Sequence, residues 1–166
     1  MANKQDFTSE EWTKILQSPM LAGIAVSTAD PSGLWGTLKE AAASSSAIAT
    51  AKLDAGSNEL IKAVIADIET SEGRSALQNA LRNCFADAEP AHCVERSLAN
   101  LQEVSAIIDV KAPADAVAFK TWLRGISQKV ADASTEGAFL DFGGVQVSDA
   151  EKATLADIAK ALGMTT

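Results

Sequence analysis

Residues 148–163 read SDAEKATLADIAKALG. Ser148 followed three positions later by Glu151 is the spacing of a capping box, in which each side chain accepts the other residue's backbone N–H. Leu155, Ile158, Ala159 and Leu162 then fall on the i, i+3, i+4, i+7 stripe of a helix that buries one face, and Gly163 supplies the stop. A start signal, a core stripe and a stop signal within sixteen residues specify a helix.

The same grammar runs upstream. Thr8 and Glu11 form a second capping box before Trp12, Ile15 and Leu16, and Pro19 is expected to end that helix and open another over 19–28. Leu34, Trp35 and Leu38 lead a third helix into Ala41-Ala42-Ala43-Ser44-Ser45-Ser46, small residues that suit a close helix contact. A fourth carries Leu60, Ile61, Val64, Ile65 and Ile68. Gly73 and Ser75 open a fifth with Leu77, Leu81 and Phe85, and Pro90 the sixth, with Val94, Leu98, Leu101, Val104 and Ile108. A seventh begins near Pro113 and carries Phe119, Trp122, Leu123, Ile126 and Val130. No stretch shows the β-branched alternation of a half-buried strand. The expectation is an all-α bundle of about eight helices forming one domain over residues 1–166, with no linker long enough to divide it.

Leu21-x-Gly23-Ile24-x4-Ala29-Asp30-x-Ser32 recurs as Leu123-x-Gly125-Ile126-x4-Ala131-Asp132-x-Ser134, which predicts two units built alike. Gly23 and Gly125 are expected at close backbone contacts, because glycine inside a helix costs about 0.5–1 kcal/mol relative to alanine. Asp30 and Asp132 are read at the negative ends of helices, where a cation would offset the unfavourable dipole; a solvated turn is the alternative.

Composition narrows the function classes. With 166 residues, 47% of them hydrophobic, the chain is not generally disordered. A formal net charge of -8 predicts no nucleic-acid partner and favours neutral or cationic ones. The longest apolar candidate, residues 19–26, is too short to span a bilayer, so no membrane insertion is expected. The polar start, Met1 to Phe7, argues against a signal peptide and for a cytoplasmic location. Cys84 and Cys93 flank the only histidine, His92, without a metal-clamp spacing; reduced thiols are expected over a disulfide, and His92 is expected on the surface or at a helix start. Trp12, Trp35 and Trp122 sit among helical apolar residues and are expected to pack in the core or an interface.

Residues 132–148 stand apart as a loop with Phe139, Leu140, Phe142, Val145 and Val147, expected to be ordered and partly buried, either as a functional loop or as a plug over the bundle. Asp132-x-Ser134-x-Glu136-Gly137 resembles the first half of a calcium loop, but Gly143 stands where a bidentate glutamate is required. What remains is a looser oxygen-ligand site drawing on Asp132, Glu136, Asp141 or Asp149, suited to Ca²⁺ or Mg²⁺. Nucleophile elbow, phosphate-binding loop and zinc-protease motifs are all missing, so no enzymatic activity is expected.

The segment from Leu123-x-Gly125-Ile126 through Ala131-Asp132, resuming at Val147-Ser148-Asp149-Ala150-Glu151-Lys152 and closing with Ile158-Ala159-x-x-Leu162-Gly163, resembles the second half of TerB-like tellurite-resistance proteins. Gly23-Ile24-Ala25-Val26 to Asp30, with Glu40 downstream, resembles their first half. Together these pieces cover about a third of the chain. The resemblance implies a pseudo-symmetric helical bundle with a stress-related role, binding a divalent ion through two acidic turns: Asp30 with Glu40, and Asp132 with Glu151. The chain departs from that pattern where residues 133–147 separate Asp132 from Glu151, and where Pro31 and Ser32 separate Asp30 from Gly33. The alternative expectation is an interaction scaffold without an ion site, binding a protein partner or a second copy of itself.

Overall fold

Helix α1, Ser9–Ser27, begins at the expected capping box: the Thr8 N–H donates to Glu11 Oε2 at 2.7 Å, and the Glu11 N–H to Thr8 Oγ1 at 3.2 Å. Its buried residues run from Trp12 and Ile15 through Pro19 to Ala25 and Val26, covering nearly its whole circumference. From Ile15 onward the helix is buried on most sides and must be enclosed by others, and α1 packs against all five remaining helices. The computed structural model describes residues 2–29, 58–86, 89–136 and 147–164, with the backbone alone for residues 90–91 and 134–136.

The enclosing helices are α2 (Glu59–Glu69), α3 (Ser71–Cys84), α4 (Pro90–Lys111), α5 (Pro113–Glu136) and α6 (Asp149–Ala161), preceded by a 3₁₀ turn at Lys4–Asp6. Each start has a local cause. Asn58 accepts the Ile61 N–H at 2.9 Å and Thr70 the Gly73 N–H at 2.9 Å, while α4 begins on Pro90, whose missing N–H costs nothing in a first turn. At the end of α6 Gly163 has φ 67, and the Met164 N–H reaches Ala159 O while the Gly163 N–H reaches Lys160 O, both at 2.9 Å. This is the six-to-one and five-to-two pairing of a Schellman motif. One core unites Ile15, Leu16, Leu60, Val64, Leu101, Ile108, Phe119, Leu123, Ile126, Ile158 and Leu162, with Val147 partly buried against it.

The expected count of eight helices becomes six among the described residues. The two helices expected on either side of Pro19 are one, and the one expected around Leu34 to Ser46 lies outside the described residues. Proline deprives the Ile15 carbonyl of its i+4 donor; the Ser18 hydroxyl supplies a replacement at 2.7 Å, so the helix continues.

The repeated motif departs from its expected equivalence. Leu21 and Leu123 are both fully buried in helices, and the Ser127 hydroxyl donates to Ala22 O at 3.0 Å across the α1–α5 contact. Beyond that the copies diverge. Helix α1 ends before Ala29, whereas α5 continues through Asp132 to Glu136. Residues 132–136 are therefore helix rather than the start of a loop, and the rest of that expected loop up to 146 lies outside the described residues. Nor is Gly125 at a close approach: a Cβ there meets nothing within 4 Å.

Candidate functional site

The expected acidic ligands serve other purposes where they are described. Glu151 is buried, with its Oε2 accepting the Ser148 N–H at 2.8 Å, so its carboxylate is engaged in the capping box. Asp132 is exposed within α5 and accepts from Gln128 Nε2 at 2.9 Å, an i,i+4 bond that helps carry the helix past the predicted end. Glu136 is the last residue of α5, where a helical backbone replaces the alternating geometry of a calcium loop. Asp149 is exposed beside Lys152 at 3.6 Å. Asp30, Glu40 and Asp141 lie outside the described residues. Among the described residues no three His, Cys, Asp or Glu side chains converge as a metal site.

The other expected positions are placed as follows. His92 is exposed in the first turn of α4, and Cys84 and Cys93 are free and half-buried. Burial pushes the Cys84 thiol above its ordinary pKa, against the opposing pull of the Arg96 charge, so the reactive thiolate is disfavoured. Trp12 is buried beside Phe7, and its Nε1 donates to Asp67 Oδ2 at 2.7 Å. Trp122 packs edge-on against Phe119, with ring centres 5.3 Å apart. Trp35 lies outside the described residues.

A different region carries unspent chemistry. Helices α3 and α4 each pack on α1 but hardly on each other, which leaves an open groove of about 660 Å³ with α1 as its floor. Helix α1 contributes Ser9, Glu10, Thr13, Lys14 and Gln17, positions that share one face; α3 contributes Ala80, Asn83 and Cys84, and α4 contributes Asn100. Gln17 is only 5% exposed, yet its Oε1 has no hydrogen-bond partner among the described residues. Asn100 Oδ1, on the facing helix, is likewise buried and unpartnered, as is Ser97 Oγ one turn earlier on α4. Buried polar atoms are satisfied in the great majority of cases, and leaving one unmade costs roughly 1–3 kcal/mol. Gln17 and Asn100 are among the residues that line the groove, while Ser97 and Trp122, whose Nε1 is also buried and unpartnered, are not.

The contrast with a smaller hollow sharpens the point. About 200 Å³ lies between the N-terminal segment and the α4–α5 corner, lined in part by Asp6, Lys111 and Asp115. Asp115 is buried there, but it accepts the Ala2 N–H at 2.9 Å. That hollow belongs to the way the N-terminal segment is fastened to α5. In the groove the amide oxygens have no such employment. The sequence carries one trace of them: Gln17-Ser18 interrupts an otherwise apolar run from Ile15 to Leu21. Ser18 is explained by Pro19, and Gln17 is not explained by packing.

Charge in the groove is nearly balanced. Lys14 is held by Glu103 of α4, whereas Glu10 makes no ion pair among the described residues. No described helix is long and apolar enough to cross a membrane. No protein-family model, no curated protein and no solved structure matches the chain.

Proposed function

We propose that this protein is a small helical interaction module, without catalytic chemistry of its own, that receives a partner in the groove between α1, α3 and α4. The observation that carries the proposal is the groove itself, open between three helices and lined by hydroxyl, amide and charged side chains of Ser9, Glu10, Thr13, Lys14, Asn83 and Asn100. A concave face with mixed polar and apolar lining gives a partner both hydrogen-bonding groups and surface to bury. The divalent-ion reading has less beneath it, because Glu151 is committed to a helix cap and Asp132 lies within a helix. The proposal stands on the groove and takes nothing from the stress-response role that the TerB-like resemblance implies.

Photo-cross-linking in the producing cell tests it. A benzophenone amino acid replacing Thr13, at the groove, is expected to give a discrete adduct, whereas the same group replacing Val117, 77% exposed and outside the groove, gives none. The mass of the adduct separates a macromolecular partner, a second copy of this chain, and a small molecule. Equal labelling at the two positions, or none at either, removes the groove as the binding face.

A further inference from the structure

We propose that Cys84 and Cys93 are a dithiol modification site, which a low-molecular-weight disulfide converts into an intramolecular bond tying the end of α3 to the start of α4. Both thiols are free and half-buried, on either side of the corner that joins these helices. Cys84 is the last residue of α3 and lines the groove. Cys93 lies in the opening turns of α4, and Cys93, Arg96 and Asn100 fall at i, i+3 and i+7 along one face of that helix. Two of these three are fixed towards α3. Arg96 Nη1 donates to the carbonyl oxygens of Cys84 at 2.7 Å and of Ala86 at 3.2 Å, and Asn100 lines the same groove as Cys84. The face that carries Cys93 is thereby turned to the end of α3, and Cys93 stands roughly 4.5 Å nearer the corner than the arginine that already touches Cys84. The thiols also sense each other. Burial is the main cause that pushes the Cys84 thiol up; the Arg96 charge opposes it, and a charge on Cys93 adds to it, as neighbouring sulfurs require.

A disulfide needs its two Cα atoms within about 7 Å. Helices α3 and α4 rest on α1 and hardly on each other, so their ends can meet that requirement without breaking a packed interface between them. The bond is made by two exchanges with the small disulfide, RSSR. The Cys93 thiolate attacks one sulfur of RSSR; a Cys93 Sγ–S bond forms as the S–S bond breaks, and one RS⁻ leaves and takes up the proton that Cys93 released. The Cys84 thiolate then attacks Cys93 Sγ and expels the second RS⁻, which takes up the proton from Cys84. One protein dithiol and one RSSR thus give one protein disulfide and two RSH, the protein losing the two electrons and two protons that RSSR gains. Cys93 reacts first because the raised Cys84 pKa leaves little thiolate there to meet an oxidant from solution. In the second exchange the sulfur to be attacked is already beside Cys84, and proximity makes up for the scarce thiolate. The site does not depend on a partner in the groove, although the bond holds α3 and α4 together where Cys84 lines it.

The test incubates the full chain, reduced and then freed of reductant, with oxidised glutathione and follows its intact mass with time. The expected product is a monomer lighter by two hydrogens, whose digest contains the Cys84 and Cys93 peptides joined by a disulfide, and dithiothreitol returns the reduced mass. Cys84→Ser is expected to stop at a single glutathione adduct on Cys93, and Cys93→Ser at a single adduct on Cys84 that forms more slowly. Three results overturn the proposal: a wild-type chain that holds glutathione on both cysteines at once, one that links to a second copy of itself instead of closing, or one that stays unreacted while folded although both thiols react in urea.

Discussion

Two glycines in this chain show how one residue type can have opposite consequences. Gly73, at the start of α3, lies so close to the end of α2 that a Cβ there would stand 1.9 Å from the Asp67 carbonyl oxygen. That oxygen also accepts the Thr70 N–H at 3.0 Å and the Thr70 hydroxyl at 2.8 Å, so the corner cannot move aside without losing both. The Asp67 carboxylate meanwhile holds Trp12 and Lys4. Gly73→Ala is therefore expected to destabilise the protein by about 1–3 kcal/mol or more, the range of an overpacked site. Gly125 sits inside α5 with open space where its Cβ would be, and Gly125→Ala is expected to stabilise by about 0.5–1 kcal/mol through helix propensity alone. Thermal melts of the two variants should move in opposite directions; a stabilising Gly73→Ala would show that the α2–α3 corner relaxes freely.

At the scale of the helix, what was legible in the sequence is what local chemistry determines. The capping boxes Thr8–Glu11 and Ser148–Glu151 and the stop at Gly163 are each satisfied within five residues in the chain, and the structure has all three. The apolar stripes of α2, α4 and α5 are likewise periodic, and their residues meet in the core. Pro19 does not break the helix as expected, because its cost of about 3 kcal/mol is offset by a neighbouring hydroxyl and by burial. Residues 15–19 are all buried, and Ser18 takes over the Ile15 carbonyl. Asp132 does not end a helix as expected, because an acid alone is no breaker and none occurs before Gly137. The groove was not legible at all, since it exists only through the divergence of α3 and α4 over α1. The Ser18 account has a measurable consequence. Ser18→Ala should cost about 1–3 kcal/mol, the price of an orphaned buried carbonyl. In a Pro19→Ala background, where residue 19 regains its N–H, the same change should cost markedly less. A double-mutant cycle by urea unfolding reads that coupling, and additive effects would mean that Ser18 does not rescue the helix.

For the whole molecule, α1 is the member on which every other described helix is assembled, so what fastens its ends bears on the entire fold. Near its N-terminus Glu11 does two things at once. It closes the capping box, and its Oε2 receives Lys111 Nζ at 2.6 Å from the last turn of α4. The Lys111 hydrogen bond, reinforced by the Thr8 backbone N–H, holds the Glu11 carboxyl below the ordinary glutamate pKa. A carboxyl that is more acidic in the folded chain than in the unfolded one contributes stability at neutral pH, and that contribution is lost as the pH falls through the lowered folded value. The pair is partly exposed, so its contribution should also shrink as salt is added. Gln at position 11 would keep the capping geometry, since either residue type serves in the box, and remove only the charge. Glu11→Gln is thus expected to lower the urea midpoint at pH 7 in low salt and to converge on wild type as the pH falls through the lowered folded value of Glu11. Lys111→Met should follow the same course. If the wild-type and Glu11→Gln midpoints stay a constant distance apart from neutral to acid pH, the charge on Glu11 does not join α1 to α4, and the cap alone accounts for its place in the sequence.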